Sequence, residues 1–171
     1  MKSILYIIVI SACFNFVTAQ NQELKSFKRD GYKLEYPKSW KKVNFYGYTL
    51  FVPRDIHKLN KRGVQVRIFP NYLRSTNKGK SIKDLLLEHA QTTFPHEINK
   101  TYVISILDSN KFQYKIEYEY NVDFYEEIHK KVEYIRLEKS SLKYYSYSAK
   151  KQLFNQYFDE AKQIIYSVEK R

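Results

Sequence analysis

Apolar and polar side chains alternate along most of this chain, which predicts mainly β-strands. In residues 112–122 every second position is apolar or aromatic, from Phe112 to Val122, and the positions between them are polar. A period of two is typical of a strand that buries one face and exposes the other. The strands predicted from such patterns cover residues 31–37, 47–53, 63–70, 102–107, 112–122, 126–137 and 142–149.

The first three predicted strands share one kind of boundary, because each begins at a glycine and ends at a proline. Glycine permits turn conformations, and proline lacks the N–H that a central strand needs. Trp40 follows the first strand after a Pro-Lys-Ser turn, and we expect its indole to close one end of the core. The alternative is that it walls a ligand site, since a large ring with a polar N–H suits both positions.

The alternation slips within the predicted strand at 126–137. Val132 and Tyr134 follow one phase, whereas Ile135 and Leu137 follow the other. Such a slip predicts either burial on both faces of the strand or a β-bulge.

Two segments have the three-and-four spacing of amphipathic helices. Ser81 begins the first, and Asp84 completes a capping box, so we predict a helix that ends before Pro95. The second covers residues 151–168, and its apolar stripe must be buried against a sheet. The two stripes consist of Ile82, Leu85, Leu86 and Ala90, and of Leu153, Phe154, Tyr157, Phe158, Ala161, Ile164, Ile165 and Val168.

Residues 1–19 differ from the rest and predict a secretory signal peptide, because a basic start precedes an apolar run and small residues follow it. We favour cleavage after Ala19, which leaves a short lead-in at 20–26 and a single domain at 27–171. The alternative is a lipobox ending at Cys13, which would then carry a lipid anchor. Without Cys13 the mature chain has no cysteine for a disulfide, a nucleophile or a metal ligand.

A large excess of basic residues predicts an anionic partner. Removing residues 1–19 takes away Lys2 and no acid, which leaves 29 basic and 18 acidic residues and lowers the formal charge from +12 to +11. Such a balance favours an acidic protein or an anionic envelope component. Two predicted loops, 54–62 and 71–80, supply the predicted binding residues Arg54, Lys58, Lys61, Arg62, Arg74, Lys78 and Lys80. No run after the signal is long enough to span a membrane, so we expect a secreted or periplasmic protein.

No motif identifies a catalytic or cofactor site. His96 and Glu97 begin like a zinc-protease helix motif, but Lys100 occupies the position of the second histidine. The serines at 140, 141, 146 and 148 have no histidine or nucleophile elbow beside them in the sequence, and four glycines leave no phosphate-binding loop. We therefore predict neither enzymatic activity nor a cofactor.

One short segment contains candidate metal ligands. Glu127 and His129 would share a face of the predicted strand, whereas Glu126 points away. Two ligands are fewer than a protein metal site requires, so we predict no metal.

The seventeen tyrosines are the most unusual feature of the composition. Interleaved with lysines, they could stack on bases or sugars. Tyrosine also favours strands and can bury its ring while its hydroxyl reaches water. Because a secreted location also disfavours nucleic acid, we predict no nucleic-acid partner. The alternative function is a small-ligand carrier or hydrolase whose pocket is walled by Trp40 and tyrosines.

Several short segments follow one another in a characteristic order. A Tyr36-Pro37 corner with Trp40 precedes YTLFVP and VQVRIF, and KYYSYSA precedes a helix that ends in IIYSV. In this order, over residues 27–168, they resemble the PsbP-like superfamily, which includes the Ran-binding Mog-type proteins. The resemblance implies an α+β fold in which a central antiparallel sheet has helices on both faces, an α/β/α sandwich. It also implies binding rather than catalysis, and the leading hypothesis is a secreted, non-enzymatic binding or assembly protein of the bacterial cell envelope.

Overall fold

The computed structural model describes residues 23–29, 31–45, 48–57, 63–68, 79–93, 99–122, 127–138 and 141–170. These residues form the strands β1 (Leu24–Arg29), β2 (Tyr32–Pro37), β3 (Trp40–Phe45), β4 (Tyr48–Pro53), β5 (Gln65–Ile68), β6 (Thr101–Ile106), β7 (Tyr114–Val122), β8 (Glu127–Glu138), β9 (Ser141–Lys150) and β10 (Glu169–Lys170). The helices among them are α1 (Ile82–Thr92) and α2 (Lys151–Tyr166).

Seven of these strands form one antiparallel sheet in the order β3-β4-β5-β9-β8-β7-β6. The long β8–β9 pair lies near its middle and is aligned without a break from His129 opposite Lys150 to Glu138 opposite Ser141. A second antiparallel sheet has the order β1-β2-β10. It packs against β4, because the rings of Phe27 and Tyr36 lie 5.7 and 4.9 Å from the ring of Phe51.

The two helices pack on opposite faces of the seven-stranded sheet, here called the α1 face and the α2 face. The α1-face core contains Leu86, Ala90, Ile116, Tyr118, Tyr120, Ile135, Leu142 and Tyr144. The α2-face core includes Val132, Tyr134, Tyr145, Tyr147, Phe154, Tyr157, Ala161, Ile164 and Ile165. Alternate residues of β8 and β9 enter different cores, as the pleat of a strand requires. The predicted α+β fold with helices on both faces is confirmed.

Several local predictions are also confirmed. Ser81 Oγ accepts a hydrogen bond from the Asp84 N–H at 3.2 Å, and Asp84 Oδ2 accepts one from the Ser81 N–H at 3.3 Å, which completes the capping box. Trp40 is 0% exposed and belongs to the α2-face core. The slip near Val132 reflects burial on both faces, since the pairing of β8 with β9 contains no bulge.

Four details of the sequence interpretation need correction. Trp40 does not merely follow a strand, because β3 begins at this residue. Phe112 was assigned to the face of Tyr114, but it lies in the α2-face core, whereas Tyr114 packs on the α1 face. The alternation fails there because β7 begins only at Tyr114. The predicted loop at 54–62 starts with a 3₁₀ turn (Arg54–His57), and β1 includes residues 24–26, which the sequence interpretation placed in the lead-in.

Candidate functional site

Charged side chains enter both faces of the β8–β9 pair, and they form two separate clusters. On the α1 face Glu133 is 3% exposed and lies opposite Ser146. On the α2 face Lys143 is 3% exposed and lies opposite Arg136. A buried charge is unfavourable unless other groups compensate it, so the partners of each cluster show what it can do.

The Glu133 cluster is closed by direct contacts to its carboxylate. Lys131 Nζ lies 2.6 Å from Oε1, and His89 Nε2 lies 2.8 Å from Oε2. The Tyr118 hydroxyl donates to the same Oε2 at 3.0 Å. Both carboxylate oxygens are therefore engaged, and the cluster links α1 to strands β7 and β8.

The electrostatics of this cluster do not favour proton transfer near neutral pH. Burial alone would raise the pKa of Glu133, but the nearby Lys131 charge and the His89 contact outweigh it and lower the pKa to about 2. Burial and the Glu133 charge raise the pKa values of Tyr118 and Tyr144. At neutral pH the carboxylate is thus ionised and both phenols keep their protons. A group with such a low pKa is a weak general base.

Acid should weaken the fold through Glu133. In the folded state its pKa is about 2, below the ordinary 4.5, so its charge stabilises the fold above pH 4.5 and this contribution is lost as the pH falls towards 2. The loss is on the order of 3 kcal/mol. Urea unfolding at pH 4.5 and at pH 2 measures this contribution. Between these two pH values the free energy of unfolding should fall further for wild type than for Glu133→Gln, by about 3 kcal/mol. Glu88→Gln, which removes an exposed pairing with Lys80, should keep the wild-type slope. Equal slopes for wild type and Glu133→Gln would contradict the assignment.

The second cluster carries more positive than negative charge, and we call it the basic cluster. It consists of Arg136, Lys143 and Lys170 around the carboxylate of Glu138. Lys143 Nζ and Lys170 Nζ lie 2.7 and 3.3 Å from Glu138 Oε2, and Arg136 Nε lies 3.1 Å from Oε1. Three cations of the described residues thus lie around one carboxylate, so positive charges outnumber negative ones among these four side chains.

The surroundings of the basic cluster hold its cations in place. Arg136 Nη2 donates to the hydroxyl of Tyr145 at 2.9 Å, and Lys143 Nζ lies 4.5 Å from the centre of the Tyr32 ring. The side chain of Lys143 is 4% exposed, whereas that of Lys170 is 58% exposed. The cluster therefore extends from the core to the surface through Lys170.

The pKa values of two lysines in this region are lowered, mainly by burial and then by a neighbouring cation. Burial, followed by the charge of Lys170, lowers the pKa of Lys143. Burial, followed by the charge of Arg136, lowers the pKa of Lys111, and the charge of Glu169 opposes this shift; Lys111 Nζ donates to the carbonyl oxygen of Tyr166. A carboxylate or phosphate oxygen placed beside these cations would offset the repulsion and could accept charge-assisted hydrogen bonds.

Two of the binding residues predicted from the sequence, Arg54 and Lys80, lie outside the basic cluster. Arg54 is exposed and its Nε donates to the carbonyl oxygen of Lys38 at 2.7 Å, and Lys80 Nζ lies 2.7 Å from Glu88 Oε2. The other predicted residues, Lys58, Lys61, Arg62, Arg74 and Lys78, lie outside the described residues. A binding surface made of these loops therefore stays a prediction.

Other candidate groups also have defined positions. Glu127 Oε2 lies 3.8 Å from His129 Nε2, and Lys150 Nζ is 2.6 Å from Glu127 Oε1, while Glu126 falls outside the described residues. Within the described part of the chain, no three His, Cys, Asp or Glu side chains are grouped to hold a metal ion. Among the same residues, no helix has the length and apolar character needed to cross a membrane.

A groove lies on the α2 face beside the N-terminal end of α2. Its volume is about 270 Å³, and its lining includes Thr101, Val103, Glu117, Glu119, Lys130 and Phe154. Trp40 is not among the lining residues. This groove therefore gives no support to the alternative of a pocket walled by Trp40 and tyrosines, which stays a prediction.

The basic cluster could have been found in the sequence from the phase of its charged residues, although not from the number of charges in a segment. Lys143 continues the phase of Tyr145 and Tyr147, and Arg136 continues the phase of Val132 and Tyr134. Charged residues that continue an apolar face of two strands are candidates for a buried charged site, since side chains at alternate positions share a face.

The comparisons with known proteins add the fold. No protein-family model matches the sequence, and no curated protein matches it. The solution structure of cyanobacterial PsbP (CyanoP) from Synechocystis sp. PCC 6803 is similar with a TM-score of 0.54 and 14% identity, over 88% of this chain and 94% of that one. The crystal structure of LpqN, involved in cell envelope biogenesis of Mycobacterium tuberculosis, is similar with a TM-score of 0.52 and 10% identity. The similarity covers 85% of this chain and 89% of that one. At these identities the likeness concerns the fold alone. The chain has a PsbP-like fold.

Proposed function

We propose that this chain is a secreted, non-enzymatic binding or assembly protein of the bacterial cell envelope, and that its basic cluster holds an acidic group of a partner protein. The observation that carries the proposal is the excess of cations around Glu138. Arg136, Lys143 and Lys170 face a single carboxylate, and two of the three are largely buried. Charge arranged in this way attracts a carboxylate and fixes its orientation.

Three further observations support parts of the proposal. The N-terminal segment has the features of a secretory signal, which supports an extracytoplasmic location. The similar fold of LpqN, a protein involved in cell envelope biogenesis, supports a location in the cell envelope. Glu133, a carboxylate that is only 3% exposed, has a pKa of about 2 and is unsuited to act as a base at neutral pH, which supports a role without catalysis.

An acidic protein fits the basic cluster better than a lipid surface does. Lys143 and Arg136 lie largely inside the fold, and only Lys170 is well exposed. A flat array of head groups would meet mainly exposed cations, whereas a protruding Asp or Glu side chain can approach Lys170 and the guanidinium behind it. An anionic envelope lipid is the competing partner.

The test compares two defined anionic probes. Residues 20–171 should bind poly-glutamate at low salt and lose binding at about 0.5 M salt, where exposed charges are screened. Lys170→Ala should weaken this binding roughly two- to fivefold, the effect of a partly exposed ion pair. Lys83→Ala, which removes one exposed charge on α1, is the matched control and should bind as wild type does.

Two outcomes would contradict the proposal. Equal weakening by Lys170→Ala and Lys83→Ala would mean that net charge rather than the basic cluster binds the probe. Binding to phosphatidylglycerol vesicles but not to poly-glutamate would assign the cations to a lipid surface. The same assay with Arg54→Ala and Lys80→Ala tests the loops predicted from the sequence.

A further inference from the structure

Among the described strands, none pairs with the outer edge of β6, which leaves a row of backbone groups open there. β6 is the last strand in the sheet order, with β7 as its neighbour. The Leu107 N–H donates to the Gln113 carbonyl oxygen at 2.9 Å, so the N–H of Leu107 points towards the β7 side. Bonded and non-bonded pairs alternate in an antiparallel ladder. Tyr102, Ile104 and Ile106 therefore direct their N–H and C=O groups away from β7, towards the open edge.

The open edge of β6 differs from the other edge strands. β3 carries Lys41 and Lys42, and β1 carries Lys25, Lys28 and Arg29. Lysines on an edge discourage pairing with another strand. β6 has the sequence TYVISI without a charged residue, and two of its apolar side chains are well exposed, Val103 at 61% and Ile106 at 84%. This edge therefore lacks the usual protection.

We propose that β6 pairs with β6 of a second copy of this chain in an antiparallel register centred on Ile104. In this register Ile104 lies opposite Ile104 of the second copy, and Tyr102 lies opposite Ile106. These residues are the ones whose backbone groups point outwards, so each pair can exchange two hydrogen bonds. The side chains of Tyr102, Ile104 and Ile106 share the α1 face, and the second copy would cover the exposed Ile106.

Charges at the two ends of β6 favour a second copy, because the register that places Ile104 opposite Ile104 also places Lys100 of one copy opposite Asp108 of the other. Residues 20–171 carry a formal charge of +11, so two copies repel each other, and this repulsion is weakest at β6 because the strand has no charged residue. The nearest charged positions on β7, Lys115, Glu117 and Glu119, would lie about 14 Å from their counterparts, which is three strand spacings and more than the screening length. In the proposed register no charged residue of β6 opposes another. The proposal does not depend on the basic cluster.

The oligomeric state of residues 20–171 tests the proposal by sedimentation velocity over a range of protein concentrations. Wild type should form a dimer, and Ile106→Lys should be a monomer because it places a charge opposite Tyr102 of the second copy. Ile106→Pro should also be a monomer, since it removes an outward N–H. A proline whose nitrogen faces the open edge is tolerated in an edge strand, so both variants should keep the circular dichroism and melting temperature of wild type.

Leu24→Lys is the matched control, because Leu24 is 53% exposed on the edge strand β1. It should dimerise as wild type does. If wild type is a monomer at every concentration, the proposal is overturned. This holds even if β6 of that monomer binds an added extended peptide, because the partner would then not be a second copy. Dimers that persist in both Ile106 variants would also overturn it.

Discussion

Ile164→Asp is expected to abolish the folded state. Ile164 is 0% exposed in the α2-face core, on the helix that covers β8 and β9. Removing such a side chain costs roughly 2–5 kcal/mol through lost burial and the cavity that remains. The buried carboxylate adds a further penalty, because no cation has been placed to compensate it. The sum is comparable with the whole stability of a small domain, about 5–15 kcal/mol.

Circular dichroism and urea unfolding of residues 20–171 measure this effect. Gln156→Asp introduces the same carboxylate at an exposed position of α2 and should keep a cooperative transition near that of wild type. Ile164→Val, which keeps a branched apolar side chain, should cost roughly 0.5–1.5 kcal/mol. An Ile164→Asp protein with an unchanged melting temperature would show that α2 does not bury this residue against the sheet.

The sheet was predictable from the sequence to the extent that its signals are local. Alternation located β7 and β9 within one or two residues, because each has a phase that a single strand shows by itself. The sequence does not indicate β3 as a strand, because Lys41 and Lys42 interrupt its apolar positions and Trp40 and Val43 do not fall in one alternating phase. Phe112 continues the phase of β7 in the sequence, but the chain changes direction before Tyr114, and a pattern of residue types does not record that turn.

The basic cluster depends on pairings between distant residues. Arg136 meets Lys143 because β8 and β9 pair in one register, and Lys170 joins them because β10 pairs with β2. A one-residue change of register would move either side chain to the other face. The density of charge along the chain points instead to loops that include Arg54 and Lys80, and it contains no information about which cations share a carboxylate. The fold class was accessible because it needs only the order and type of the elements.

Trp40→Ala is expected to lower the free energy of unfolding by roughly 3–5 kcal/mol, as truncation of a buried aromatic residue does. Trp40 is 0% exposed, and its ring meets the Tyr157 ring edge-on at 6.3 Å between centroids. Its Nε1 also donates to Glu160 Oε2. The residue thus connects the start of β3 to α2. Urea unfolding measures the loss.

Trp40→Phe separates the ring from the hydrogen bond. It keeps most of the apolar contact but removes the N–H. The loss of the hydrogen bond should lower the free energy of unfolding by roughly 0.5–1.5 kcal/mol, in addition to the effect of the smaller ring. Binding to poly-glutamate should survive in Trp40→Phe, because the indole is enclosed by the α2-face core and does not reach a partner. A Trp40→Ala protein that is as stable as wild type but no longer binds would reverse this assignment, since the indole would then contribute to recognition rather than to the core.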